Sequence, residues 1–387
     1  MMKILIIRTF PSIMDLNTYN IQEIGLARAL VARGHECGVI FYNGKVSDKI
    51  EKLIFQKNKV QYEIKIYWLK GYSFFKNGFM PAIKKIVNQY DVIQVNEYDQ
   101  ISSWMLYTKQ KRPTVIYHGP YYHQYAKGYN IKCSIFDVLF LKLSNYKDVI
   151  TLTKSEPASE FIKSKGFKNV YTIGVGIDED SFSLGEEVVK CPIEKESSEF
   201  RLLYVGKIEE RRNVFFLIDV FEKIIAADEH MQLIIVGDGE TEYVERFRQR
   251  IKDLVEQGKI VYIPRASQKE VALIYKSSKL FIFTSNYEIF GMVLLEAMYF
   301  SVPVISSWNG GSSVLIDDGV NGFILDTFDV EKWVCKIRYL KENPEQYNLL
   351  RKNAYKKISE KFLWDRLAVH FIEGYKKAIK QWEENNF

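Results

Sequence analysis

Short apolar runs that stop at a glycine or a polar residue, each followed by apolar residues at helical spacing, recur along nearly the whole chain and limit its fold more than any other feature. Residues 3–7, 91–95, 114–117, 201–205, 259–263 and 280–283 are such runs. They lack the strict alternation of a half-exposed strand and read as strands buried on both faces, as in parallel sheets. Between them, Ile21, Ile24, Leu26, Ala27, Leu30 and Val31 mark one face of a helix that Gly34 would cap, and Val214, Leu217, Ile218 and Phe221 mark another. Strands and helices in alternation predict an α/β chain with parallel sheets. At about 100–200 residues per domain, a chain of 387 residues is expected to form two. The seam falls in residues 182–200, where Glu186, Glu187, Lys190, Glu194, Lys195, Glu196, Ser197 and Ser198 leave little apolar periodicity.

Open α/β sheets bind ligands at the carboxyl ends of their strands. The run at 280–283 leads into Tyr287-Glu-Ile-Phe-Gly-Met-Val-Leu-Leu-Glu-Ala, where a loop restarts as a helix. The first N–H groups of such a helix form an anion site. Glu288 and Glu296 stand eight positions apart, roughly 12 Å along a continuous helix. That is too far for one acid/base pair and suits two contacts on one extended ligand. Carboxylates on either side of a bound phosphate would accept hydrogen bonds from hydroxyls, as in a nucleotide sugar. The plainer alternative makes Glu288 a complement to the helix dipole and Glu296 a solvated helix residue.

The strand at 201–205 ends in Gly206, Lys207, Ile208, Glu209, Glu210, Arg211, Arg212 and Asn213. Lys207 and Arg212 there would neutralise a diphosphate. Alternatively, Glu209 and Glu210 simply pair with Arg211 and Arg212 in a solvated loop.

In combination, the carboxyl half resembles the family-4 retaining glycosyltransferases of the glycosyltransferase-B fold. The likeness rests on Tyr204-Val-Gly-Lys-Ile, Ile234-Ile-Val-Gly-Asp-Gly, Thr284-Ser-Asn-Tyr-Glu-Ile-Phe-Gly with Leu295-Glu-Ala-Met, Val302-Pro-Val-Ile-Ser, Asn309-Gly-Gly and Asp318-Gly-Val-Asn-Gly-Phe, in that order. The resemblance implies two Rossmann-like domains facing each other across a cleft. Residues 1–181 with 365–387 would bind the acceptor and residues 182–364 the donor, the last helix, from Trp364 onward, packing back on the first domain. It implies that Glu288 contacts the donor sugar near the reacting carbon, that Phe290, Gly291 and Met292 offer backbone N–H groups to the diphosphate, and that Glu296 binds the ribose. Gly206, Lys207 and Arg212 would meet the phosphates, while Pro264 and Arg265, at the end of the strand from Lys259, would meet the base. Lys207 stands where the family usually has Arg and Arg212 where it usually has Lys; charge survives both exchanges, although hydrogen-bond geometry does not. Asn213 replaces a usual glycine, and Val314 a usual glutamate.

The amino half carries a weaker likeness, in Leu26-Ala-Arg-Ala-Leu and Arg33-Gly-His. Asn17 and Thr18 stand in place of the family's Gly-Gly loop and would offer side-chain contacts to the donor. His118, before Gly119 and Pro120 at the end of a strand, is placed by the resemblance beside donor sugar and acceptor. A core histidine is the competing reading. Tyr121, Tyr122 and His123 share its loop, as acceptor contacts or as surface aromatics. Asn96, Glu97 and Tyr98 are weaker candidates of the same kind. His35, after the helix cap, reads as structural.

Residues 1–185 hold 25 Lys and Arg against 16 Asp and Glu, a net +9, whereas the remainder holds 29 against 32, a net −3. A basic, aromatic-rich domain is what a peripheral enzyme uses to approach anionic lipid. Residues 70–85, with Tyr72, Phe74, Phe75, Phe79 and Met80, are the best stretch for it, against a solvated loop with core-packing aromatics. No basic-aromatic motif for nucleic acid is present. No apolar run approaches the ~20 residues of a membrane span, and the start reads as a first strand rather than a secretory signal. Cys37, Cys133, Cys191 and Cys335 have neither zinc nor disulfide spacing, which fits a reducing cytoplasm. No Asp/His spacing suggests a metal, and no cofactor beyond the donor substrate is expected.

The function these features support is retaining glycosyl transfer from a nucleoside-diphosphate sugar to a glycan or lipid-linked acceptor, in polysaccharide or glycolipid synthesis. A nucleotide-sugar epimerase or hydrolase of the same fold and a non-catalytic nucleotide- or glycan-binding protein stay open. The short motifs Gly174-Val-Gly and Gly237-Asp-Gly lack the full dinucleotide spacing, which sets a nicotinamide oxidoreductase last. Base, sugar, acceptor and oligomeric state are not encoded in any readable motif.

Overall fold

A computed structural model describes residues 1–16, 21–74, 76–109, 111–179, 190–193 and 199–386. The chain divides into two compact units, Met1–Asp178 with Leu363–Phe387, and Glu179–Phe362. Its strands in order are β1 (Lys3–Ile7), β2 (Glu36–Tyr42), β3 (Lys49–Lys57), β4 (Val60–Leu69), β5 (Tyr72–Phe74), β6 (Asn77–Phe79), β7 (Val92–Asn96), β8 (Thr114–His118), β9 (Thr151–Thr153) and β10 (Val170–Thr172) in the first unit. The second unit has β11 (Phe200–Val205), β12 (Met231–Val236), β13 (Ile260–Ile263), β14 (Leu280–Phe283), β15 (Val304–Ser307) and β16 (Phe323–Leu325).

In the second unit the sheet order is β13-β12-β11-β14-β15-β16, all parallel. Strand order reverses between β11 and β14, so the loops leaving those two strands flank the switch point, where open sheets place their ligands. Leu280, Phe281, Ile282 and Phe283 are fully buried, as a strand covered on both faces requires. The helix Val214–Ile225 covers one face with Val214, Leu217, Ile218, Phe221 and Ile224.

The first unit has the order β10-β9-β8-β7-β1-β2-β4-β3, with its switch point between β1 and β7. Here the expectation of purely parallel sheets fails at one edge. β3 pairs antiparallel with β4 in a long hairpin, whose turn residues Asn58 and Lys59 both have positive φ, the signature of a two-residue type I′ connection. The sheet's remaining pairs are parallel. β5 and β6 form a separate small hairpin.

The last helix, Trp364–Asn386, belongs to the first unit. Trp364, Leu367, Phe371 and Tyr375 form its buried stripe. The Tyr375 hydroxyl donates to Gln94 Oε1 at 2.7 Å, and Phe371 meets Tyr117 edge-on. Trp364 is wedged between two glycines: a Cβ on Gly25 would lie 2.2 Å from its Nε1, and one on Gly176 2.4 Å from its Cδ2. Gly25→Val is therefore expected to lower stability by about 1–3 kcal/mol through overpacking, measured by urea unfolding of the whole chain. Wild-type stability in that variant would mean that the terminal helix is not held by this contact.

Candidate functional site

The loops at the second unit's switch point are tied to each other by backbone. Asn286 N–H donates to Arg211 O at 2.8 Å, and the Thr284 hydroxyl donates to Arg212 O at 2.9 Å. Arg211 adds a guanidinium bond to Tyr287 O at 2.7 Å and an ion pair to Glu209 at 2.6 Å. Arg211 thus acts as a brace, a role that its place in a charged run did not distinguish from Arg212.

Arg212 and Glu288 face each other across the switch point as an ion pair. Both side chains are largely shielded, at 11% and 14% exposure, and Arg211 Nη1 lies 3.9 Å from the same Glu288 oxygen. The other Glu288 oxygen accepts from Ile289 N–H at 3.1 Å. Arg212 Nε also sits 3.7 Å from Glu209, and its guanidinium lies over the Phe283 ring. Of the pairing that the sequence offered beside ligand contact, the fold shows Glu209 with Arg211 and Arg212, and it adds a carboxylate from the facing loop while keeping Arg212 largely shielded rather than solvated. Lys207 is exposed, and its carbonyl is held by the Tyr204 hydroxyl at 2.9 Å.

Asn213 has φ 52° and ψ 42° and caps the helix Val214–Ile225. Left-handed backbone explains both the usual glycine and its replacement, since Asn tolerates that region better than other side chains.

Gly291, with φ +78°, begins the helix Met292–Tyr299, and Phe290 before it is buried. Asn309-Gly310-Gly311 packs directly under this start. A Cβ on Gly311 would lie 2.0 Å from Phe290 O, and Gly310 N–H donates to Glu288 O at 3.1 Å. Asn309, fully buried, donates to Ser307 O at 3.0 Å and accepts from Gly311 N–H at 2.9 Å. The Gly-Gly pair thus lets one backbone brace another, with Asn309 as the rivet. Val314 lies part-exposed in the short helix Ser312–Leu315.

Glu296 is buried rather than solvated and accepts from the Tyr275 hydroxyl at 3.1 Å. Pro264 and Arg265 follow β13 as expected; Arg265 is 87% exposed and pairs with Asp238 at 3.4 Å. Asn17 and Thr18 lie outside the described residues.

At the first unit's switch point, Arg8 and Glu23 pair at 3.2 Å, and Asn96 Nδ2 donates to the same Glu23 oxygen. Glu97, with φ 62°, leaves β7 in left-handed backbone. Its carboxylate meets His118 Nδ1 at 2.6 Å, Gly119 N–H at 3.1 Å and Lys154 Nζ at 3.6 Å. Burial would raise the carboxyl's pKa, but His118 and Lys154 outweigh it and hold it at about 2. His118 is fully buried, stacked on Phe161 and edge-on to Tyr98. Tyr121 is buried and Tyr122 is 41% exposed. The His123 side chain accepts from Tyr125 N–H, and burial lowers its pKa. His35 accepts from Met2 N–H at 3.2 Å, a structural bond.

Folding also brings Glu97, Asp99 and His118 together, with candidate ligand atoms within 4.8 Å of one another. Lys154 faces Glu97, and Lys132 pairs with Asp99 at 2.7 Å. Each carboxylate already has an ammonium, so this charge-balanced cluster does not fit a divalent ion.

Each unit matches a different family model. Residues 189–357 match "Glycosyl transferases group 1" and residues 24–181 match "Glycosyltransferase Family 4". Over 185 residues the chain is 29% identical to a probable sucrose-phosphate synthase of Thermosipho melanesiensis, a match covering 46% of this chain and 42% of that protein. It is 24% identical to an uncharacterised glycosyltransferase of Methanocaldococcus jannaschii over 92% of this chain and 93% of that one. Among solved structures, HepE of Anabaena in complex with UDP superposes with a TM-score of 0.68 at 17% identity, covering 97% of this chain and 100% of that one. The sucrose-phosphate synthase of Thermosynechococcus elongatus superposes with a TM-score of 0.71 at 17% identity, covering 98% and 100%. These likenesses identify the fold as glycosyltransferase-B, two Rossmann-like α/β domains. Among the described residues, no helix is long and apolar enough to cross a membrane.

Proposed function

Since the chain belongs to the glycosyltransferases of the glycosyltransferase-B fold, related to the family 4 and group 1 families, we propose that it moves a sugar from a nucleoside-diphosphate donor to a glycan or lipid-linked acceptor, with retention of configuration. The observation that carries this reading is the shielded Arg212–Glu288 pair at the switch point of the second unit's sheet. A guanidinium and a carboxylate held side by side match the two ends of the bond to be broken. Arg212, with Lys207 and the helix start at Phe290, Gly291 and Met292, stabilises charge developing on the departing diphosphate. Glu288 accepts hydrogen bonds from the sugar near its reacting carbon, and Glu296 accepts them from the ribose.

The C–O bond from sugar to diphosphate breaks as the acceptor oxygen attacks from the leaving-group face, and the diphosphate takes the acceptor's proton. Asn17 and Thr18 serve the donor phosphates, Pro264 and Arg265 the base, and His118 the sugar. The relatives support the donor class: the Anabaena structure holds UDP. The first unit handles the acceptor, and the net +9 over residues 1–185, which hold most of it, supports peripheral contact with an anionic membrane from the cytoplasmic side.

A thermal-shift screen of nucleoside diphosphates tests the donor reading. One of them is expected to raise Tm, since a ligand of the native state stabilises by mass action. Transfer from the matching sugar donors should then require added acceptor. Donor consumed equally fast without acceptor would favour an epimerase or hydrolase, and no shift with any nucleotide would sink the proposal.

A further inference from the structure

The helix Lys127–Leu139 of the first unit leaves an apolar stripe in solvent. Ile131 is 63% exposed, Ile135 55%, Val138 58% and Leu139 57%. They stand at i, i+4, i+7 and i+8, one face of a helix. The opposite face is committed to the fold: Cys133 and Phe136 are buried, Lys132 pairs with Asp99, and Asp137 pairs with Lys165. Four adjacent branched side chains on one turned-out face form a contiguous apolar patch, which marks an interaction surface, unlike scattered exposed residues.

Charge at the two ends of the stripe indicates the occupant. Lys127 opens the helix and Lys142 follows its end, both exposed. Lys127 stands one turn before Ile131 on the same face, and Lys142 lies in the short turn Leu141–Leu143 beyond the helix end, so the apolar stripe has a cation at each end. No Asp or Glu falls on this stripe. Tyr122, 41% exposed, lies beside it through a 3.2 Å bond to Ser134, and Tyr125 is 37% exposed. Apolar centre, flanking tyrosines and terminal lysines match a helix lying in a bilayer interface, its stem among acyl chains and its cations at anionic headgroups. A second copy suits the face poorly, because antiparallel packing of two stripes would set Lys127 against Lys142 of the other copy.

We propose that this stripe is the surface by which the protein seats on an anionic lipid bilayer. The proposal rests on the membrane reading above and moves its seat from residues 70–85 to a different element. In that earlier stretch Tyr72, Phe74 and Phe79 are exposed, but Met80 is buried and Phe75 lies outside the described residues. A lipid-linked acceptor would then be met at the surface that holds it.

Co-sedimentation of the full chain with phosphatidylcholine vesicles, with and without phosphatidylglycerol, tests this. Wild type is expected to bind the anionic vesicles, more weakly at high salt. Ile135→Asp is expected to reduce that binding about tenfold or more, as is the double variant Lys127→Glu, Lys142→Glu. Both should keep the wild-type Tm and its shift with nucleoside diphosphate. Undiminished vesicle binding by Ile135→Asp would overturn the assignment of the stripe while leaving the membrane reading intact. No binding of wild type to any vesicle would overturn both. A concentration-dependent dimer dissolved by Ile135→Asp, with vesicle binding unaffected, would overturn it in favour of a second copy.

Discussion

Arg212→Ala is expected to lower transfer by about two to three orders of magnitude, the usual consequence of removing a preorganised group that faces developing charge. Two effects add in this variant. The diphosphate loses its shielded cation, and Glu288, 14% exposed, loses the partner that makes its charge tolerable beside an anionic ligand. Donor affinity and turnover should therefore both fall. Glu288→Gln should differ, because the amide still occupies the loop and leaves Arg212 free for phosphate. Turnover is expected to fall further than donor affinity in that variant, the pattern of an interaction strengthened in the transition state. Arg212→Lys should recover only part of the rate, since an ammonium cannot reproduce the guanidinium fork. Initial rates against donor concentration, with the nucleotide-induced thermal shift as an independent affinity measure, separate these cases. Full transfer activity in Arg212→Ala would remove the catalytic assignment.

Arg212 and Glu288 were both legible as candidates, yet their partnership was not. They are 76 residues apart in sequence, and only the adjacency of β11 and β14 in the sheet order makes them neighbours. Strand identity was readable at β1, β7, β8, β11, β13 and β14 because each is a short, mostly apolar run. Strand order was not, because every such run looks alike to its neighbours. The β3–β4 hairpin escaped for a different reason: its turn is Asn58-Lys59 rather than Asn-Gly, and Lys at positive φ carries no sequence signal. Asn213 shows the reverse case. As a bare departure from a glycine it looked like a defect, and its left-handed backbone makes it a fitting substitute. Arg211 and Asn309 work through backbone carbonyls and amides, which a sequence does not display. Glu97 was only a weak candidate, since the charge around it comes from β8 and from Lys154 beyond β9.

That charge supplies the second large effect. Glu97→Gln is expected to cost about 3 kcal/mol of stability at neutral pH, the equivalent of the displacement of its carboxyl from its ordinary value of 4.5 to about 2. Burial works against the carboxylate, so the stabilisation comes from what faces it: His118 at 2.6 Å, Lys154 at 3.6 Å and the Gly119 N–H at 3.1 Å. The glutamine can still accept from Gly119, but it takes the carboxylate away from His118 Nδ1 and from the Lys154 ammonium. Because the folded carboxyl titrates below the unfolded one, its contribution is complete above about pH 5 and is lost as pH falls towards 2. Urea unfolding of wild type between pH 7 and pH 3 should therefore show a loss that Glu97→Gln lacks, the two curves converging at the acid end. Parallel curves would mean that Glu97 is not the group being protonated. A stable Glu97→Gln protein that nevertheless loses transfer, with donor affinity intact, would show that the pair orients His118 for the reaction as well as holding the strand ends together.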